Sequence, residues 1–201
     1  MKKILVSVMV IAMVAGLIGA GISAFFSDTE TSTGNTFTAG TLDLQVKDNN
    51  EGWGDGVTAT WTMSNMKPGD ELTGTVEQVD LRNVGSVSAS TVDITVINTV
   101  IDPPGPESDT EAGTTDMDWF MEVTWMEYED GTGVIQCLAL FSDVNSNGWK
   151  DLDDLENDPI TGLPAPMGTG RFQLNLRFHP SADNDFQGDT LVSDFVFTLN
   201  Q

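Results

Sequence analysis

The chain is 201 residues long, 39% hydrophobic, and carries 31 acidic against 8 basic side chains, for a formal charge of −23. That balance excludes nucleic acid as a ligand, because phosphate binding needs clustered cations, and the single cysteine excludes an internal disulfide. Self-repulsion of this size keeps monomers soluble and opposes association at low salt, so an acidic subunit that assembles needs screening or bound cations; a salt-adapted surface without a special partner is the alternative reading.

Lys2 and Lys3 open the chain, followed by an apolar run from Ile4 to Ile22 and then Ser23-Ala24. A short basic start, an apolar helix and small residues at its end describe an export signal over 1–24, cut after Ala24. Retention as a membrane anchor is the alternative, since about 20 apolar residues span a bilayer. The far flank argues against it, carrying Asp28 and Glu30 where an anchor usually has basic residues. The membrane is then met only by the precursor. The leader holds two lysines and no acid, so its removal moves the charge from −23 to −25. The mature chain begins with an extended, Ser/Thr-rich arm over 25–40, a ready connector on a secreted domain.

Residues 41–201 form one domain, in which Gly, Asn, Asp and Pro separate short alternating runs. Leu42, Leu44 and Val46 share a face of a strand at 41–47. Val57, Ala59, Trp61 and Met63 do the same at 57–63, and Val92, Ile94 and Val96 at 91–96. Residues 171–178 alternate throughout, and Phe195, Phe197 and Leu199 close the chain in the same way. Further strands are expected at 71–82, 119–127 and 134–141, giving about eight and an all-β, jelly-roll-like two-sheet sandwich. A turn or two of helix is expected only around Leu152–Leu155. Trp61, Trp119 and Trp125 read as core packing. Loops at 48–56, 102–118 and 154–170 are acidic, Gly- or Pro-rich decoration, the first able to cap the sandwich or hold a cation.

One segment carries specific chemistry. Asp143, Asn145, Asn147, Asp151 and Asp154 place oxygen side chains at positions 1, 3, 5, 9 and 12 of a twelve-residue loop, with Gly148 at position 6 for the bend. That is how a calcium loop surrounds a hard cation with oxygens. Trp149, at position 7, offers its backbone carbonyl, and Asp154 is shorter than the usual closing glutamate. An expected strand at 134–141 precedes the loop, so it reads as a calcium loop set into a β domain, as in dockerin-like repeats. Extracellular modules of this kind bind calcium at about 10⁻⁴ to 10⁻³ M. The ion either stiffens the loop or bridges subunits. An unliganded acidic turn is the alternative.

Catalytic signals are absent from the sequence. One histidine, His179, cannot build a paired zinc site, and it reads as an exposed strand-end residue. No nucleophile elbow, phosphate loop or dinucleotide fingerprint is present. Cys137 lies in an apolar run and reads as a buried, inert thiol, with an intermolecular bond as the remote option.

Five ordered segments carry a family likeness: Ser23-Ala24-Phe25-Phe26-Ser27-Asp28; Thr36 to Leu44; Asn65-Met66-Lys67-Pro68-Gly69-Asp70; Leu81-Arg82-Asn83-Val84-Gly85-Ser86; and Gln187-Gly188-Asp189 with Phe195 to Thr198. Together they resemble the TasA/camelysin family, except over 102–170. The resemblance implies a secreted jelly-roll subunit of the cell exterior that polymerises head to tail into matrix fibres or bundling pili, each copy donating its N-terminal strand to the next. Phe25, Phe26 and Phe37 are the apolar candidates for the donated strand. Its partner is then another copy, with neighbouring filaments or cells as further contacts. Camelysin-type members are also described as metalloproteases, which supplies a competing expectation. A monomeric calcium-binding adhesin is a third.

Overall fold

The computed structural model describes residues 2–21, 39–58, 60–72, 78–101, 116–183, 186 and 188–201. Two units separate, Met1–Thr38 and Ala39–Gln201. In the first, the apolar run forms the expected helix, α1 (Lys2–Gly21). The cleavage residue Ala24 and the arm residues Phe25, Phe26 and Phe37 lie outside the described residues.

The second unit is an antiparallel two-sheet sandwich built from β1 (Leu44–Lys47), β2 (Glu71–Leu72), β3 (Val79–Asn83), β4 (Thr91–Ile101), β5 (Met121–Glu129), β6 (Val134–Gln136), β7 (Ile160–Pro164), β8 (Gly170–Phe178) and β9 (Thr190–Asn200). One sheet runs β1-β3-β8-β5-β6, with β2 also on β8, and the other runs β7-β4-β9. A single short helix, α2 (Leu152–Asn157), joins the described part of this unit. The inward residues of β8 and β5, among them Phe172, Leu174, Met126 and Tyr128, are fully buried, as are Val92 and Ile94 of β4. Phe172 meets Phe195 and Phe197 of β9 at ring distances of 5.8 and 5.4 Å, and Tyr128 donates across the layers to the Pro164 carbonyl at 3.1 Å. Each such buried side chain contributes about 1.5–3 kcal/mol relative to leaving it exposed.

The few cations stitch the outer face of the larger sheet. Lys47, Asp80, Arg171 and Glu129 stand opposite one another across β1, β3, β8 and β5, and Asp80 pairs with Lys47 at 3.2 Å and Arg171 at 3.3 Å. A second row, Glu71, Arg177 and Glu122, crosses β2, β8 and β5. Opposed unlike charges stabilise a cross-strand pair modestly. Their larger consequence is that these cations are engaged away from the acidic loops.

Two of the sequence segments behind the family likeness meet at the root of the arm. Asn83 Oδ1 accepts from the amides of Asp43 and Gly85, and its Nδ2 donates to the Val87 carbonyl at 2.7 Å. Val84 N donates to the Asp43 carbonyl and Val87 N to the Thr41 carbonyl. A Cβ on Gly85 would stand 2.1 Å from the Thr41 carbonyl oxygen, so only glycine lets the two backbones approach. The 48–56 loop folds back on β1, where Val46 and Gly54 exchange backbone hydrogen bonds of 2.9 and 3.0 Å. It covers the edge of that strand at this point.

Several elements differ from expectation. Residues 57–63 are not a strand among those described; Val57, Trp61 and Met63 nevertheless pack on the core. Thr60, on the opposite face of the expected alternation, is buried as well, and no described strand pairs with this segment. The 71–82 stretch holds two short strands, and the strand expected at 134–141 stops at Gln136, giving way to a tight 3-10 turn at Cys137–Ala139. The 154–170 loop contains β7, which pairs with β4. Trp61 packs on the core, whereas Trp119 and Trp125 remain half-buried outside it.

Candidate functional site

The 143–154 loop is assembled by its own polar side chains. Asp143, Asn145, Asn147 and Trp149 are half-buried while Val144, Ser146 and Gly148 between them are exposed, so the odd positions turn inward. Asp143 accepts from the amides of Asn147 at 3.1 Å and Gly148 at 3.0 Å. Asn145 Oδ1 accepts from Asn147 N, and Asn147 Oδ1 from Trp149 N. Such side-chain acceptance two to five residues ahead winds the backbone around a centre. Gly148 sits at φ 100°, the left-handed region that position 6 requires.

The loop closes on the start of α2. Asp151 caps the helix, accepting from Asp154 N at 2.9 Å, while Asp154 returns the favour to Asp151 N at 3.1 Å. The other oxygen of Asp154 accepts from Val144 N at 2.6 Å and Asn145 N at 3.2 Å, which ties position 12 back to positions 2 and 3. The shorter side chain, uncertain as a closing ligand from sequence, therefore does reach across the loop. Val123 N donates to the Lys150 carbonyl at 2.8 Å, fastening the loop to β5. The oxygens of Asp151, Asp153 and Asp154 lie within 4.8 Å of one another.

These carboxylates are held without a cationic side chain. Lys150 is the nearest basic residue in sequence, and its Nζ donates instead to the carbonyls of Leu138 and Phe141. Burial pushes the Asp151 carboxyl up to about 7, against the opposing effect of hydrogen bonds from Asp154 N, Asn147 and Asn145. Burial also raises Asp154. A set of convergent oxygens whose negative charge is unfavourable by itself fits a hard divalent cation. It holds no histidine or cysteine, which catalytic zinc sites draw on alongside carboxylates.

A second feature sits beside β9. Between the sheets opens a groove of about 1130 Å³, walled by Trp61, Phe178 and Phe195 on its apolar side and by Thr60, Ser193 and Asp194 on its polar side. β9 pairs along all of its eleven residues with β4 on one side and with no described strand on the other. Among the described strands, β9 is therefore an edge strand, the kind of element to which an extended peptide can add.

Other sequence expectations resolve differently. His179 is half-buried instead of exposed, because its ring stacks on Trp149 at 3.7 Å and 13°. Burial lowers its pKa, and its Nδ1 accepts from Ser181 N at 3.2 Å. Trp149 in turn donates from Nε1 to the Trp119 carbonyl at 2.9 Å. The Cys137 thiol is fully buried and pushed up to about 12 by burial, the inert state anticipated for it. Asp118 was not singled out from the sequence, yet it is buried against the acids of α2. In so acidic a chain, one more aspartate carries no signal.

The sequence matches the family described as camelysin metallo-endopeptidase over residues 1–201. It is also 36% identical over 91 residues to a protein of Bacillus subtilis (strain 168) named major biofilm matrix component. That match covers 45% of this chain and 30% of the relative's length.

Proposed function

The chain belongs to the camelysin family, and from that premise we propose that it is a secreted, non-enzymatic structural subunit of an extracellular matrix that polymerises by donating its N-terminal arm to the next copy. The observation that carries this reading is the edge of β9, which meets no described strand on its outer side, beside an inter-sheet groove lined by both aromatic and polar side chains. The likeness to a biofilm matrix component supports the extracellular setting. Residues 25–37 would extend about 43 Å at ~3.3 Å per residue, enough to cross onto a neighbour, and Phe25, Phe26 and Phe37 supply apolar side chains for the groove. Head-to-tail exchange does not close on itself, so it yields a filament. In the same reading the sandwich is a jelly roll and residues 1–24 are an export signal.

Calcium is the proposed cofactor, held in the 143–154 loop by Asp143, Asn145, Asn147, the Trp149 carbonyl, Asp151 and Asp154. It would neutralise a buried acidic cluster and rigidify the segment between β6 and α2, either within one subunit or at a subunit contact. The family's description favours a second reading as a metallo-endopeptidase. The chain offers one histidine, stacked on Trp149, and one buried cysteine. The usual catalytic zinc sets take at least two histidines or two cysteines among their ligands, more than this chain offers. Deleting residues 25–37 from the mature protein tests the structural reading: a folded domain that forms no filaments by electron microscopy supports it, and normal filaments reject it. Chelator-sensitive casein hydrolysis by the purified protein would favour the peptidase.

A further inference from the structure

The walls of the inter-sheet groove are chemically mixed, and β9 contributes one face of its alternation to them. Leu191, Ser193, Phe195 and Phe197 are half-buried and line the groove, while Thr190, Val192, Asp194 and Val196 are exposed. Thr60 and Trp61 line it from the 57–63 segment, and the Trp61 Nε1 is buried without a hydrogen-bond partner among the described residues. No lysine, arginine or histidine is among the described residues that line it. A carboxylate carried into this groove would therefore be buried without a counter-charge, which is costly. Rings and small hydroxyls suit both kinds of wall.

The sequence of the arm has the same period of two. Its odd positions from Phe25 to Phe37 hold serine, threonine and asparagine between two phenylalanines and carry no charge. Both of its carboxylates, Asp28 and Glu30, fall on even positions, as does Phe26. In an extended strand these two sets point to opposite faces, and a slip of one residue exchanges them. Phe25 and Phe37 are twelve residues apart, about 40 Å in extended chain. β9 offers eleven residues to pair with, about 36 Å.

We infer that the arm of a second copy adds to β9 in one parity only, with Phe25, Thr29, Thr31, Thr33 and Phe37 turned into the groove and Phe26, Asp28 and Glu30 turned to solvent. This assignment rests on arm exchange and names what the groove selects: a strand uncharged on one face, with rings at its ends and hydroxyls between them. Of the three phenylalanines, it withdraws Phe26 from the groove. Threonine suits such a strand because its β-branched side chain packs on a pleated surface, and its hydroxyl oxygen is an acceptor that the Trp61 indole N–H lacks. Asp28 and Glu30 then act as a register lock. A slip of one residue would drive both into a groove without cations, so the wrong alignment is penalised by the same two charges that keep the right one soluble.

The test compares filament growth of the mature protein, followed by light scattering and negative-stain electron microscopy, in the wild type, Thr31→Asp, Ser32→Asp and Thr33→Asp. The three variants add the same charge at consecutive positions of the arm, so self-repulsion between subunits is matched and only the face differs; thermal unfolding of the monomers checks that the sandwich is unaffected. Thr31→Asp and Thr33→Asp should each grow at least about tenfold more slowly than Ser32→Asp, which lies between them, because only the odd positions bury the new carboxylate. Equal slowing of all three, or slower growth of Ser32→Asp than of its neighbours, overturns the parity while leaving arm exchange standing. Growth of all three at the wild-type rate also overturns it, and arm exchange falls with it if protein lacking residues 25–37 forms normal filaments. Wild-type protein that forms no filaments rejects both.

Discussion

Replacing Asp151 by asparagine should change stability in opposite directions with and without calcium. The Asp151 side chain is fully buried and accepts from Asp154 N at 2.9 Å and from Asn147 Nδ2 at 2.7 Å. Asparagine keeps one oxygen for the helix cap but removes a buried charge that faces Asp154. Without calcium the variant should therefore unfold at the same temperature as the wild type or higher. With calcium the wild type gains RT ln(1 + [L]/Kd), about 2.7 kcal/mol at a hundredfold excess over Kd. For a loop site of about 10⁻⁴ M, that corresponds to roughly 10 mM calcium. At ~2–4 °C per kcal/mol for a domain of this size, the wild-type midpoint should rise by about 5–10 °C. Asp151→Asn, having lost a charged ligand, should show under half of that rise. Thermal unfolding followed by circular dichroism in chelator and in 10 mM calcium measures both. A wild type indifferent to calcium, or a variant that gains as much as the wild type, would refute the assignment of Asp151 as a ligand.

In chelator, stability should also depend on pH. Asp151 and Asp118 have folded pKa values of about 7 and about 6, above the ordinary 3.8. Their protonation therefore stabilises the metal-free fold fully below about pH 4, and that contribution is lost as pH rises through 6 and 7. Urea unfolding in chelator at pH 5 and pH 8 should show the higher midpoint at pH 5, with the difference reduced in Asp151→Asn. Phe172→Ala removes a fully buried ring that contacts Trp61, Phe195 and Phe197 and should cost about 3–5 kcal/mol in the same assay. Gly85→Ala sets a Cβ against the backbone of residues 41–43; it should lower the midpoint and slow filament growth by loosening the root of the arm. Cys137 should be unreactive to a thiol reagent in the native protein and should react once denatured.

The sequence made the strands at 91–96, 171–178 and 195–199 legible because their alternation is regular over several residues, and β4 and β9 pair without interruption. The same alternation at 57–63 reported burial without pairing, since Trp61 packs against Phe172 and Phe195 from a segment that is not a strand. β7 was hidden in a Pro- and Gly-rich stretch because its pairing with β4 is short and interrupted by a register shift. The loop of 143–154 was legible because its chemistry is local: each ligand position is fixed by spacing along the chain. Asp118 and the Trp149–His179 stack were not, since they arise from residues about thirty apart brought together only by the sandwich.

The central claim is that one copy is completed by the arm of another. A high-resolution electron cryomicroscopy map of filaments grown from the mature protein tests it most directly. Donor-strand exchange places residues 25–37 as an extended strand beside β9 of the neighbouring subunit, with phenylalanine rings in its groove. Filaments in which those residues fold onto their own subunit, or have no ordered density, would contradict it.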